Sequence, residues 1–367
     1  MLSRSNSHTV GFSCILNREN LLECYFTANK GRLGMKRKIW LLPLLAVSAY
    51  LQAQTEVRLA VHKSFSLPKG LIARFERAND AKVSIIQAGG ANEMLNKLIL
   101  SRANPIADAV YGLDNANIGK AREMGILAAA QPESAPVAVG LPSALAVDYG
   151  YVSVNYDKKW FEGKKLPLPQ TLQDLTRPEY KNLLVVPSPA TSSPGLGFLM
   201  ANIGGLGEEG AFKWWAQMRQ NGVKVAKGWS EAYYTDFSHN GGAYPLVVGY
   251  AASPAAEVYF SKGKYSEPPT GNLFLKGGVF RQVEGAAVLK GAKQPKLAAK
   301  LVQWLQSPEV QQAVPSEMWV YPAVKNTRLP DVFRFAQAPA HTTAPAQRDI
   351  DANQRGWVSR WIRTVLK

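Results

Sequence analysis

Beyond residue 54 the apolar positions alternate between two spacings. VRLAV (57–61), KVSIIQ (82–87) and ADAVYG (107–112) are short apolar runs of strand length, whereas KGLIARFERAN (69–79) and ANEMLNKLILSR (91–102) carry the three- and four-residue steps of an amphipathic helix. Strand and helix taking turns predict an α/β fold with a mainly parallel sheet and helices on both faces. Ligands of such sheets sit at the loops after the carboxyl ends of the strands, here VHKSF (61–65), AGGANE (88–93) and GLDNAN (112–117).

Further along, LAVDYGYVSVNYD (145–157) is a long extended stretch that leaves this first lobe, and a second α/β pattern runs from about 152 to 280. Its clearest unit is NLLVVPSPATSSPGLGFLMANIGG (182–205), a strand, a loop, and a helix opened by Ser193 with Pro194 at the first helical position. FRQVEGAAVLK (280–290) crosses back, and PKLAAKLVQWLQSPEVQQAV (295–314) supplies two helices that return to the first lobe, Pro308 opening the second after Ser307. An Ala/Pro/Thr-rich connector (337–347) precedes a C-terminal helix with Trp357 and Trp361. The expected organisation is lobe 1 over 54–148 with 284–325 returning to it, lobe 2 over 149–283, and a connector and helix over 326–367. Two lobes joined by two extended crossings are the design of a hinged binding protein.

Ahead of these elements, Lys36, Arg37 and Lys38 precede an apolar run from Ile39 to about Leu51, followed by small residues. This reads as a secretory signal peptide over 35–53, with Met35 as the expected start and 1–34 as upstream extension. Both cysteines, Cys14 and Cys24, precede the expected mature chain, so its stability must come from core packing. The composition, 46% apolar and 19% charged over 367 residues with nine Trp and fourteen Tyr, is that of a folded chain able to bury two ordinary cores. A net charge of +16 falls to about +11 beyond residue 53, and the lysines are scattered except around KKWFEGKK (158–165). With a secretory address, no nucleic-acid partner is expected.

Hydrolytic and metal chemistry find little support. His62, His239 and His341 are the only histidines after residue 53, and neither HExxH nor GxSxG occurs. Asp148 and Asp157 near Tyr149, Tyr151 and Tyr156 offer oxygen ligands for ferric iron, but tyrosines on a crossing strand ordinarily pack; no metal or cofactor is expected. Binding features are richer. In TSSPGLG (191–197), Ser192 and Ser193 stand at a helix start whose free amides suit an anion, with plain capping by Ser193 as the alternative. Asp114 and Asn115 at a strand end suit a polar heterocycle, or Asp114 caps the helix beginning near Asn115. Trp229 in KGWSEAY (227–233), Tyr250 and Ser253 in GYAASP (249–254), and Trp319 in SEMWVYP (316–322) put aromatic and hydroxyl groups in loops of both lobes, the makings of a cage for a flat cation. For Trp229 the alternative is core packing, with Ser230 capping a helix from Glu231.

In their order and spacing, GLDNAN, DYGYVSVNYDK, TSSPGLGFL, KGWSEAY, YAASPA, QVEGAAV and WVYP resemble the periplasmic thiamine-binding proteins of bacterial ABC importers, over essentially the whole expected mature chain. The resemblance implies a two-lobed type II periplasmic-binding fold, a monomer in the periplasm that is not an enzyme, thiamine or its phosphates as ligand, and an inner-membrane ABC permease as partner. It implies that Trp229 and Trp319 flank the ligand, that Tyr250 and Ser253 line it, and that Asp114 with Gly112, Leu113 and Asn115 meets the aminopyrimidine. Ser192 and Ser193 would hold the alcohol or phosphate end. Two departures stand out: His62 and Lys63 replace an aromatic followed by an acid, and Ala256 occupies an expected aromatic position. A Lys63 ammonium pointing inward would favour phosphorylated ligands. The competing readings are a binding protein for ferric iron or a small organic cation such as a polyamine, and a secreted phosphatase.

Overall fold

The computed structural model describes residues 54–367 and, in the N-terminal stretch, the backbone of two antiparallel strands, β1 (Gly11–Leu16) and β2 (Leu22–Thr27). These belong to a unit of their own, and the expected signal peptide over 35–53 lies outside the described residues. All that follows concerns 54–367, where no helix is long and apolar enough to cross a membrane.

Ten strands form one sheet. They are β3 (Thr55–Val61), β4 (Ala81–Gln87), β5 (Ala109–Asp114), β6 (Leu145–Asp157), β7 (Leu184–Pro187), β8 (Lys224–Ala226), β9 (Leu246–Tyr250), β10 (Thr270–Leu273), β11 (Phe280–Val288) and β12 (Tyr321–Pro322). The path runs β4-β3-β5-β11-β6-β9-β7-β8, with β10 and β12 alongside β6. Pairing is parallel at the two ends, β4-β3-β5 and β9-β7-β8, and antiparallel around β11 and β6 in the middle. Strand β5 is buried at every position, as is β7, because helices cover both faces.

At the β4-β3-β5 end, one face carries α1 (Lys69–Asn79), α9 (Pro295–Trp304) and α10 (Pro308–Met318), through Phe75, Leu301, Val302, Val310 and Val314 on Val57, Leu59 and Tyr111. The other face carries α2 (Ala91–Leu100) and α3 (Ile118–Glu123), through Met94, Leu95, Leu98 and Ile118 on Ala60 and Val110. Alternation repeats at the β9-β7-β8 end. Leu184, Val186, Leu246 and Val248 face a core built with α5 (Ser193–Leu206) and α6 (Glu208–Gln220), α4 (Lys158–Lys164) adding Phe161; Val185 and Val247 face a small aromatic cluster of Tyr233, Phe237 and Trp229. The C-terminal helix, α11 (Gln347–Val365), sets Trp361 edge-on to Trp215 at 5.4 Å and reaches back to the first half through Gln347 to the Asn115 carbonyl at 3.0 Å.

Between the two halves, β11 and β6 pair antiparallel at the middle of the path, and their ladder is interrupted there. Register slips between Glu284 and Gly285 against β6, and between Gly285 and Ala286 against β5, leaving Val147 and Gly112 as extra residues. Gly112 has φ +100°, and a Cβ there would fall 2.4 Å from the His62 ring, so a side chain is excluded by backbone and by space. Just ahead of these bulges Glu284 is the register partner of both Asp114 and Asp148, so the three stand at one level.

Candidate functional site

A cleft of about 880 Å³ opens where the two halves meet. Its walls come from the loop after β3, the start of α2 and the end of α10 on one side, and from the start of α5, the 227–234 loop and α8 (Ser253–Phe260) on the other. Of the residues singled out in the sequence, His62, Ser192, Ser193, Trp229, Tyr250, Ser253 and Trp319 line it together; Gly112, Leu113, Asp114 and Asn115 do not.

Trp229 opens α7 (Trp229–Glu231), a single turn whose N-cap is Gly228, so the expected helix capped by Ser230 starts two residues early. The turn continues as a wider coil over Ala232–Asp236, which places Tyr233 parallel to Trp229 at 5.2 Å and Tyr234 edge-on at 5.3 Å. Tyr250, at the end of β9, meets the same indole at 6.0 Å. One side of Trp229 therefore packs on the Tyr233 cluster, and the rest forms cleft wall. Trp319 is held by a different device. It ends α10 in the left-handed region at φ 58°, a conformation that costs a residue with a Cβ about 1–3 kcal/mol and turns the chain back sharply. There it stacks on Phe333 at 6.0 Å and 9° while Phe260 meets it edge-on at 5.4 Å. Ala256 lines the cleft without an aromatic ring, but Phe260, one turn later on α8, also lines it and is 63% exposed.

At the start of α5, Ser192 is the N-cap and neither serine caps the helix with its side chain. Ser193 instead donates its hydroxyl to Asp114 Oδ2. Ser192 is free of any protein hydrogen bond through its hydroxyl and lines the cleft beside the helix's first amides. Gly195 lets this end sit against β7, since a Cβ there would lie 2.2 Å from the Pro187 carbonyl oxygen. Across the cleft, Lys63 reaches over to Gly228, whose Cβ position is 3.5 Å from Nζ, and so brings a positive charge to the same end of the cleft.

The expectation that Asp114 and its neighbours meet a ligand is not what the geometry supports. Asp114 is fully buried; Oδ1 accepts from the amides of Ala116 at 2.9 Å and Asn117 at 3.0 Å, and Oδ2 from Ser193. It shapes the turn into α3, which begins at Ile118 and not near Asn115. Burial pushes its carboxyl up to about 7, Glu284 adding to the rise and the three hydrogen bonds opposing it. Leu113 is core, and the Asn115 side chain pairs with the backbone of β11 at 2.9 and 3.0 Å. Tyr149 and Tyr151, weighed as iron ligands, pack on Tyr321 at 5.3 and 5.9 Å, outside the cleft wall. Among the described residues no group of three or more His, Cys, Asp or Glu could hold a metal ion.

Tyr111, Tyr233, Glu257, Phe260 and Glu284 line the cleft without having been singled out. Tyr111 and Glu284 lie on strands, where nothing local separates a wall residue from a core one. Tyr233 lay within a quoted motif, and its spacing of four from Trp229 was the available signal.

Two half-sheets joined by crossing strands over an aromatic cleft define a periplasmic binding protein of the type II fold. Residues 104–339 match the family described as bacterial extracellular solute-binding protein, and the chain belongs to that family. Among curated relatives, a thiamine-binding periplasmic protein of Escherichia coli is 31% identical over 80% of this chain and 87% of its own length, and one of Salmonella typhimurium 30% identical over 91% and 100%. A solved periplasmic thiamin binding protein superposes with a TM-score of 0.74 at 29% identity, covering 84% of this chain and 96% of that one. Iron-bound HitA from Pseudomonas aeruginosa, at 20% identity and a TM-score of 0.66 over 84% of this chain and 99% of its own, shares the fold.

Proposed function

We propose that this periplasmic protein binds thiamine and its mono- and diphosphate between its two halves, carries them unchanged, and works as a monomer that delivers them to an inner-membrane ABC permease. The observation that carries the reading is the pairing of Trp229 and Trp319, each stacked on a neighbouring ring and each lining one cleft, with Tyr250 and Phe260 beside them. Aromatic faces attract a desolvated cation by about 2 kcal/mol each, and thiamine carries a flat aromatic cation in its thiazolium ring. Its relatives' names support the same ligand. At one end Ser192, the α5 amides and Lys63 suit an alcohol or a phosphate. Titration of the purified protein with thiamine, thiamine monophosphate and thiamine diphosphate, followed by calorimetry and tryptophan fluorescence, tests this; saturable binding of all three is expected. Binding of ferric iron or a polyamine in place of thiamine would overturn it, as would release of phosphate on incubation.

A further inference from the structure

Five carboxylates line the cleft, each with a partner, and Glu284 is the one of them that is buried. Glu93 meets Lys97 at 3.0 Å and Glu257 meets His239 at 3.0 Å. Glu231 accepts from the Lys227 amide at 2.8 Å, and Glu317 from the Ser66 hydroxyl at 2.9 Å. Glu284 differs. Among the described residues the one basic side chain within 4 Å is His62, whose Nε2 lies 3.4 Å from Oε2. The Ser64 amide donates to His62 Nδ1 at 3.2 Å, which leaves the hydrogen of a neutral ring on Nε2.

Behind Glu284 stands a second carboxylate. Tyr111 Oη lies 2.6 Å from Asp148 Oδ2 and 3.3 Å from Glu284 Oε2, and Asp148 has no exposure and an unpartnered Oδ1. Two carboxylates bridged by one hydroxyl in so dry a place do not both ionise. Burial, then the neighbouring Glu284 charge, push Asp148 well above the ordinary range. Burial also opposes ionisation of Glu284, but His62 and the hydrogen bonds from Tyr111 and Gln282, the latter at 2.6 Å, outweigh it and hold Glu284 below that range. The proton therefore sits on Asp148, in the interior, and the negative charge on Glu284, at the wall. Asp114, opposite Glu284 in the β5 register, and Tyr250, whose hydroxyl is 3.3 Å from Gln282, are the remaining titratable neighbours; both are raised, chiefly by burial.

A buried carboxylate whose one basic neighbour stands 3.4 Å away is stabilised by any further positive charge that reaches it from the cleft. We propose that Glu284 is the anionic contact for the cationic ring of the ligand, an inference that rests on the thiamine reading and names the residue that would select the charge. The aromatic rings favour a cation on their own account, and Glu284 would add to that preference.

The test compares thiamine with its uncharged thiophene isostere, on the parent protein and on Glu284→Gln, which keeps the shape and the Gln282 contact. The parent should prefer thiamine by about tenfold to a hundredfold, the worth of one charge-assisted contact. Glu284→Gln should lose most of that preference while binding the isostere within about twofold of the parent. A parent that binds both alike overturns the proposal, and so does a variant that keeps the preference or weakens both ligands equally. Should Glu284→Gln fail to fold, as judged by circular dichroism, Glu284→Asp, which keeps the charge but draws it back from the wall, should reduce the preference, and an unchanged preference there overturns the proposal. A parent that binds neither compound removes the thiamine reading, and this inference with it.

Discussion

Two groups of tryptophans teach opposite lessons. Trp214, Trp215 and Trp361 meet with Phe198 in edge-on contacts of 4.8 to 6.1 Å and are almost without exposure. Trp229 and Trp319 are half-buried and stack on one partner each. An indole N–H without a partner does not separate the groups, since Trp215, Trp361, Trp229 and Trp319 all have one. What separates them is the ring's surroundings: in the core every side is protein, whereas at the cleft part of the ring is wall. The first group should answer for stability, the second for affinity.

The sharpest attempt to break this division is Trp361→Ala. Removing a fully buried indole should destabilise the protein by about 3–5 kcal/mol in denaturant unfolding, with thiamine affinity within about twofold under conditions where the variant is folded. A comparable loss of affinity would show that the core and the cleft are not separable. Next come Trp229→Ala and Trp319→Ala. Each should weaken thiamine by about 1–3 kcal/mol, ten- to hundredfold, in calorimetric titration, at a stability cost clearly below that of Trp361→Ala. If Trp229→Ala bound normally and only melted earlier, its ring would belong with the core group.

A smaller effect sharpens the picture inside the cleft. Ser192→Ala should weaken thiamine diphosphate more than thiamine, by about 0.5–1.5 kcal/mol, because the hydroxyl is not spent on the helix. Equal losses for both would place Ser192 against the part the two ligands share. Ser193 is a poorer probe, its hydroxyl being committed to Asp114.

The last expected change is a slope, spread over several pH units and read in stability and not in affinity. Asp114 has a folded-state pKa of about 7, above the unfolded value near 4, so between those values the native state holds a proton that the unfolded chain has lost. Its contribution is complete below about pH 4 and is lost as pH rises towards 7, at most about 1.4 kcal/mol per pH unit. Asp114→Asn should flatten that part of a stability-pH profile. An unchanged profile would mean that the hydrogen bonds from Ser193 and the two amides keep Asp114 ionised.

The fold class was legible because buried parallel strands are continuous apolar runs, so β3, β5 and β7 announce themselves in VRLAV, ADAVYG and LLVVP. Loop residues of the site were legible for a related reason: Trp229, Trp319 and Ser192 are placed by local turns and helix ends. Glu284 was not. In QVEGAAV it reads as one more strand position, and it reaches the cleft through slips in register against two neighbouring strands, which depend on residues far away in sequence. Asp114 shows the converse limit. An aspartate at a strand end is equally suited to a ligand and to the amides of its own next turn, and here the nearer donors, Ala116 and Asn117, take it.

The interrupted ladder where β11 crosses β6 has a mechanical consequence. A regular two-stranded ribbon resists bending along its whole length, but an extra residue such as Val147 or Gly112 leaves a weak joint at one level. Any opening or shutting of the molecule would concentrate its rotation at that level, which is also the level of Glu284 and Asp148. The pivot and the charge then coincide, so a ligand that draws on that carboxylate pulls close to the axis, where little leverage is available.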